Sequence, residues 1–197
     1  MENQNLVVEL RSILEPLDLA ELFPKRQPLE VELGCGDASF LVEYARRHPQ
    51  KNFIGVERLL GRIQKLHRKG HRLGLGNLRG VRIESSYFLE YLLPPHSVAA
   101  IHLYFPDPWP KKRHHKNRLV NEMFPQMIKN ALIPAGVVYL RTDHPDYFSE
   151  MLGIFGADNH FREIETPIEL AEIRTDFERD FNAKGIATLR AAYQWMP

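Results

Sequence analysis

Four short apolar runs, Leu29–Leu33, Asn52–Val56, Val98–Tyr104 and Gly136–Arg141, recur along this chain, and a helix-patterned segment or turn follows each. That alternation constrains the fold more than any other feature. Strands of about five residues separated by helices lie parallel in one sheet, with helices covering both faces. The helices are expected over Ala38–Arg47, Arg58–Leu73, Asn117–Asn130 and Pro145–Phe155. A short strand at Val81–Ile83 and a helical turn around Phe88–Leu93 fall between them. Phe161–Glu165 and Ala187–Trp195 then read as an antiparallel strand pair that closes a mostly parallel, seven-stranded α/β sheet. Residues 5–23 read as an amphipathic helix and Pro24–Pro28 as a stiff connector. The expectation is one domain over 1–197, with 1–28 as an N-terminal helical extension and connector; a chain of this length buries a substantial core unaided.

A doubly wound sheet binds its ligand at the carboxyl ends of the strands, where strand order reverses. That rule singles out residues 33–37, 57, 84–86, 104–110 and 142–144. Glu32-Leu33-Gly34-Cys35-Gly36-Asp37-Ala38 links the first strand to its helix. Gly34 and Gly36 allow a tight turn and close approach of a ligand. The longer G-x-G-x-x-G spacing that seats a pyrophosphate is missing. Glu57 ends the second strand, where a carboxylate grips ribose hydroxyls, although a solvated strand end fits it equally. Glu84 stands where an adenine amino group would be met, with Ser85 or Ser86 as alternatives. An adenosine-bearing cofactor without a pyrophosphate suits these residues, S-adenosylmethionine better than NAD.

The substrate end is Tyr104–Leu119, Y-F-P-D-P-W-P-K-K-R-H-H-K-N-R-L. Asp107 lies between two prolines beside Trp109, and six cationic or titratable residues follow from Lys111 to Lys116. The chain's formal charge is only +1, yet residues 111–118 hold five Lys/Arg and no acid. So focused a patch attracts a polyanion locally, and its cations hold phosphates without reading sequence. Trp109 either packs under the loop or stacks on a base; the flanking prolines favour packing. Asp143 ends the fifth strand and is expected beside Asp107. Thr175 and Glu178 have capping-box spacing at the start of a helix. A second basic stretch, Arg62–Arg72, fits either an RNA contact or a solvated face.

Some classes are disfavoured. A single Cys35 permits no internal disulfide and fits a reducing cytoplasm. The first ten residues lack the pattern of a signal peptide, and no apolar run reaches the ~18 residues of a membrane span. His114 and His115 are adjacent, with no third ligand at metal spacing, so no metal is expected. His102, inside an apolar strand, reads as a satisfied core residue.

Taken together, V-E-L-G-C-G-D at 31–37, V-E at 56–57, F-P-D-P-W-P-K-K-R-H at 105–114, R-T-D at 141–143 and T-D-F-E at 175–178 resemble the bacterial tRNA (guanine-N7-)-methyltransferases. The resemblance implies a Rossmann-like class I fold that uses S-adenosylmethionine to methylate N7 of a variable-loop guanosine in tRNA. It implies donor contacts at Glu32, Glu57, Glu84 and Asp107, to which the reading of the residues adds Gly34, Gly36 and Ser85; Asp107 is also assigned the catalytic role. On the substrate side it implies Lys111, Arg113, His114, Lys116, Arg118, Asp143, Thr175, Asp176, Phe177 and Glu178. It implies a cytoplasmic monomer or homodimer. Asn117 departs from the arginine common in the family, and E-S-S-Y at 84–87 departs from its usual acid or amide followed by alanine. The competing readings are a methyltransferase for another RNA or a small molecule, and a non-catalytic RNA-binding protein on the same scaffold.

Overall fold

The computed structural model describes residues 5–197; residues 1–4 of the expected N-terminal extension lie outside that range. Strands are Val7–Val8 (β1), Leu29–Leu33 (β2), Asn52–Val56 (β3), Leu78–Val81 (β4), Val98–Tyr104 (β5), Leu132–Thr142 (β6), Phe161–Ile164 (β7) and Leu189–Trp195 (β8). Helices are Leu19–Leu22 (α1), Ser39–Arg47 (α2), Leu60–Arg72 (α3), Ser85–Tyr87 (α4), Phe124–Ala131 (α5), Pro145–Gly156 (α6), Ile168–Glu172 (α7) and Asp176–Ala183 (α8). A π-helical turn at Phe88–Leu92 extends α4, and a 3₁₀ turn spans Lys112–Asn117.

All eight strands form one sheet in the order β1-β4-β3-β2-β5-β6-β8-β7. Pairing from β1 through β6 is parallel, and β8 is antiparallel to both β6 and β7. Order reverses at β2, which lies between β3 and β5, so the ligand crevice opens above it. The seven expected strands are present, and β1 adds an eighth at the edge.

Three local expectations are corrected. Residues 5–23 are not one helix: the chain pairs through Val7–Val8, and only Leu19–Leu22 is helical. Docking decides this, because Leu6 is buried, accepts a hydrogen bond from the Gly80 amide (2.8 Å), and packs into the notch at Gly70. The helix expected at Asn117–Asn130 begins only at Phe124, since residues 112–117 form the 3₁₀ turn and Pro125 opens α5. The third strand starts at Leu78 because β3 fixes its register, Phe53 opposite Leu78.

One face of the sheet carries Val31, Leu33, Ile54, Val56, Ile101 and Leu103 against Phe88, Phe124 and Tyr147. The other packs Phe53 and Tyr104 under Phe40, Leu41, Tyr44, Ile63 and Leu66 of α2 and α3. These helices approach closely at Gly55, where a Cβ would lie 2.7 Å from Leu66 Cδ1 and 2.8 Å from Leu41 Cδ2. A larger residue at that strand position has to displace the ends of those two leucine side chains and the Cys35 sulfur.

Glu30 and Glu32 alternate with Leu29, Val31 and Leu33 along β2, and all five are buried. Glu30 is satisfied: Lys51 Nζ lies 2.7 Å from Oε1 and His102 Nε2 lies 2.8 Å from Oε2. His102 Nδ1 is 2.8 Å from Tyr104 Oη. Burial pushes the His102 pKa down, so at neutral pH the ring is neutral and Lys51 carries the opposing charge. Burial opposes ionisation of Glu30, but its bonds to His102 and Lys51 win and bring its pKa down to about 2. His102 is thus a core residue, fully enclosed.

Candidate active site

Strand ends and turns build a cleft of ≈ 370 Å³ above β2. Gly34, Glu57, Glu84, Ser85, Tyr104 and Asp107 line it, together with Arg58, Arg62, Trp109 and Asn117. Five residues expected at the donor end therefore share one cavity.

The turn after β2 is held left-handed at Gly34 (φ 70°), Gly36 (φ 56°) and Ala38 (φ 58°). A side chain at either glycine would meet nothing within 4 Å, so the backbone angle and not crowding demands glycine there. Cys35 N–H donates to Val56 O (2.9 Å), tying the turn to β3. Asp37 accepts from Ser39 N–H (3.2 Å) and from Lys69 Nζ (2.7 Å), which anchors the turn to α3.

Glu32 differs from Glu30 in one respect. Its Oε2 is buried and has no partner among the described residues. Burial raises its pKa well above the usual carboxylate range, and the charges of Asp37 and Glu57 add to that against the pull of Arg141. A buried acceptor of this kind calls for a cationic or hydrogen-donating ligand group. Glu57 is 5% exposed, accepts from Leu59 N–H (2.8 Å), and lies 3.8 Å from Arg62. Glu84 caps α4, accepting from Tyr87 N–H (2.9 Å), and also accepts from Ser86 Oγ (3.3 Å). Ser85 therefore faces the cleft beside a carboxylate already occupied by the protein.

Asp107 is exposed and makes no hydrogen bond within the described residues. Its loop is held in an unusual shape, since Phe105 (φ 52°) and Trp109 (φ 44°) are both left-handed without being glycine. Strained non-glycine residues on either side of a reactive group mark a functional loop. Phe105 N–H donates to Arg141 O (2.8 Å) at the β6 end, and Arg118 Nε donates to Pro108 O (2.7 Å). Trp109 packs edge-on against His114 at 5.8 Å while lining the cleft, so it joins the acidic loop to the basic turn.

The substrate-side expectations divide. Lys111, Arg113 and Lys116 are exposed, His114 is half-buried, and all belong to the turn that follows Asp107. Asp143 is half-buried just past the end of β6, whose Arg141 pairs with Tyr104 of β5, so both aspartates occupy one sheet edge. Thr175 caps α8, accepting from Glu178 N–H (3.0 Å). Asp176 N–H donates to Ser39 Oγ (3.0 Å), which seats α8 on the start of α2. Phe177 is exposed and stacks under the Arg62 guanidinium at 5.8 Å. Lys111, Arg113, Asp143 and residues 175–178 stand outside the cleft lining itself.

Two expected contacts are corrected. Arg118 is 2% exposed, bonds Glu150 and Pro108 O, and lies 4.6 Å from the Tyr147 ring; it braces the loop and offers no charge to an RNA backbone. Glu178 is fully buried between Arg141 and Arg190, so the capping box is one-sided and its carboxylate is unavailable to a ligand. Sequence reasoning also missed Arg58 and Arg62 as cleft residues, although both follow Glu57 closely at the start of α3.

Among the described residues no three His, Cys, Asp or Glu side chains group as a metal site. No helix among the described residues is long and apolar enough to cross a membrane.

A parallel sheet with a left-handed glycine turn after its first central strand, acids at successive strand ends and an antiparallel strand beyond β6 defines a Rossmann-like class I methyltransferase fold. Two solved structures share it. The 16S rRNA methyltransferase KamB superposes with a TM-score of 0.65 at 18% identity, covering 93% of this chain and 95% of that one. A geranyl diphosphate methyltransferase in complex with GPP and sinefungin gives 0.57 at 16% identity, covering 89% and 74%. At these identities the likeness concerns fold alone.

The family described as "Putative methyltransferase" matches residues 26–191, and the chain belongs to it. Relatives named tRNA (guanine-N(7)-)-methyltransferase include one from Shewanella woodyi, 37% identical over 87% of this chain and 72% of that protein. One from Alkalilimnicola ehrlichii is 33% identical over 87% and 73%. One from Thermotoga maritima is 34% identical over 88% of this chain, which spans only 56% of that relative's length.

Proposed function

We propose that this protein transfers a methyl group from S-adenosylmethionine to N7 of a guanosine in tRNA, the variable-loop guanosine by resemblance. The observation that carries the reading is Asp107: an unpartnered carboxylate at the cleft, held between two strained residues, whose chain runs directly into an exposed basic turn. The named relatives support the same substrate.

The residues lining the cleft fit the donor: Gly34 gives it backbone access, Glu57 suits ribose hydroxyls, and Ser85 beside Glu84 suits the adenine edge. Glu32 and Gly36 lie outside the lining itself, and we assign Glu32, whose buried Oε2 has no partner among the described residues, to the donor's amino end. Bound there, S-adenosylmethionine supplies an electrophilic sulfonium methyl group.

Guanine N7 has an exposed lone pair and no proton to lose, so Asp107 is not required as a base. Its role is to stabilise the positive charge that develops on the purine and to orient the ring. Orientation itself lowers such barriers by ~7–11 kcal/mol in favourable cases. Asp143 and the α8 start, positioned by Thr175, form the guanine side, and Lys111, Arg113 and Lys116 hold phosphates. We place the reaction in the cytoplasm, with the protein acting as a monomer or homodimer; the chemistry asks for no metal. The test is mass spectrometry of nucleosides from tRNA incubated with protein and donor. A 7-methylguanosine peak dependent on both is expected; methylation of free nucleosides or of other RNA in its place overturns the reading.

A further inference from the structure

We infer that the exposed face of α3 is a second RNA-backbone contact, holding tRNA phosphates on the side of the cleft opposite the Lys112–Asn117 turn. The inference rests on the tRNA reading above and adds to it a two-sided grip.

Helix α3 contains five Lys/Arg and no acid. With Arg58 just ahead of it, Arg62, Lys65, Arg68 and Arg72 fall within a sector of about 120° at 3.6 residues per turn. Ile63, Leu66 and Gly70 occupy the buried side. Lys69 is taken by Asp37 at 2.7 Å, and Arg62 lies 3.8 Å from Glu57. Among the described residues Lys65, Arg68 and Arg72 form no ion pair. The macrodipole favours Lys69 and Arg72 in the last turn but disfavours Arg62 in the first, so helix stability does not account for the whole run of cations. Nor does this look like an ordinary solvated face, which mixes both signs. Helix α2 is such a face, with Glu43 bridging Arg46 and Arg47 at 2.8 and 2.7 Å.

Position supplies the remainder. Arg58 and Arg62 line the cleft from the β3 side, and Trp109 and Asn117 line it from the β5 side. β2 lies between, so the two strand ends are about 10 Å apart. A nucleotide whose base enters the cleft sends its backbone out in two directions, and each meets cations. On the α3 side they continue from Arg62 to Arg72, about 15 Å along the axis. Cations repeated every three or four residues match a repeating polyanion, not a single anion.

The test is the triple variant Lys65→Gln/Arg68→Gln/Arg72→Gln, three exposed or cleft-distant positions outside the donor site. Binding of unmodified tRNA is measured across salt concentrations, beside KM for tRNA and donor affinity by calorimetry. Expected is weaker tRNA binding, on the order of tenfold, with the slope of log K against log salt reduced by about 2. Donor affinity and melting temperature stay at wild-type values, and Lys65→Arg/Arg68→Lys/Arg72→Lys restores binding. An unchanged slope and KM in the triple variant, beside a wild type that methylates tRNA, overturns the α3 contact and leaves the function intact. A wild type that binds no tRNA overturns both, and loss of anionic-vesicle binding with tRNA binding untouched assigns the face to lipid and overturns the inference.

Discussion

Arg141 of β6 and Glu178 of α8 form an ion pair at 3.0 Å with neither side chain exposed, 1% and 0% respectively. The same guanidinium donates to Ile173 O (3.0 Å) and to Leu170 O, and lies 4.0 Å from the Tyr104 ring. One side chain at the sheet's active edge therefore holds the whole 170–178 segment, and its charge also faces Glu32.

Removing Glu178 leaves Arg141 buried without its acid and Arg190 without its partner. Glu178→Ala is expected to cost roughly 3–5 kcal/mol of folding stability, and Glu178→Gln less, because the amide retains an acceptor. Urea unfolding of the two variants checks this; a loss under about 1 kcal/mol for alanine is incompatible with a structural pair.

Asp107 has no structural partner, so Asp107→Asn should leave unfolding and tRNA affinity within error of wild type. Methyl transfer at saturating substrates should fall about 10²-fold or more, the scale of losing a transition-state electrostatic contact. Single-turnover rates beside binding isotherms separate these effects. Equal losses in rate and affinity would reassign Asp107 to binding.

Glu32 sets stability against function. Its pKa is raised in the folded protein, so stability falls as pH rises from the ordinary 4.5 through the folded value, and the penalty is complete above it. Glu32→Gln should therefore raise the melting temperature of the donor-free protein at pH 8, while weakening S-adenosylmethionine binding. A variant that melts lower and binds donor normally contradicts both parts.

Glu30 works with the opposite sign. Its folded pKa is about 2 against an ordinary 4.5, so its contribution is complete above 4.5 and is lost as pH falls toward 2. The shift corresponds to on the order of 3 kcal/mol. Wild-type stability should drop between pH 5 and pH 3 more steeply than that of Glu30→Gln; parallel curves would show that the Lys51–Glu30–His102 contacts contribute nothing.

The alternation of strands and helices was legible because period and length are local properties. The acids at 57 and 107 were legible because each follows the carboxyl end of a strand, and those ends open on the crevice; Glu32 sits one residue inside the end of β2. What misled was also local. Residues 5–23 have an amphipathic pattern, but Leu6 finds a notch at Gly70 that no local pattern shows. Arg118 sits in a run of cations and shares their composition, yet Glu150 comes from 32 residues away to bury it.

By itself the sequence determined the sheet, the glycine turn after β2, and the order in which acid, aromatic and base follow β5. These depend on backbone preference and on residues close in the chain. Only the tertiary structure decided which charges remain free. Glu30 and Glu32 are two residues apart and look alike, but one meets Lys51 and His102 while the other keeps an oxygen without a partner. Arg118 and Glu178 are internal braces, while Lys65, Arg68 and Arg72 of α3 form no ion pair among the described residues. Whether a charged group is satisfied depends on what the fold brings within about 3 Å of it, and those partners are distant in sequence.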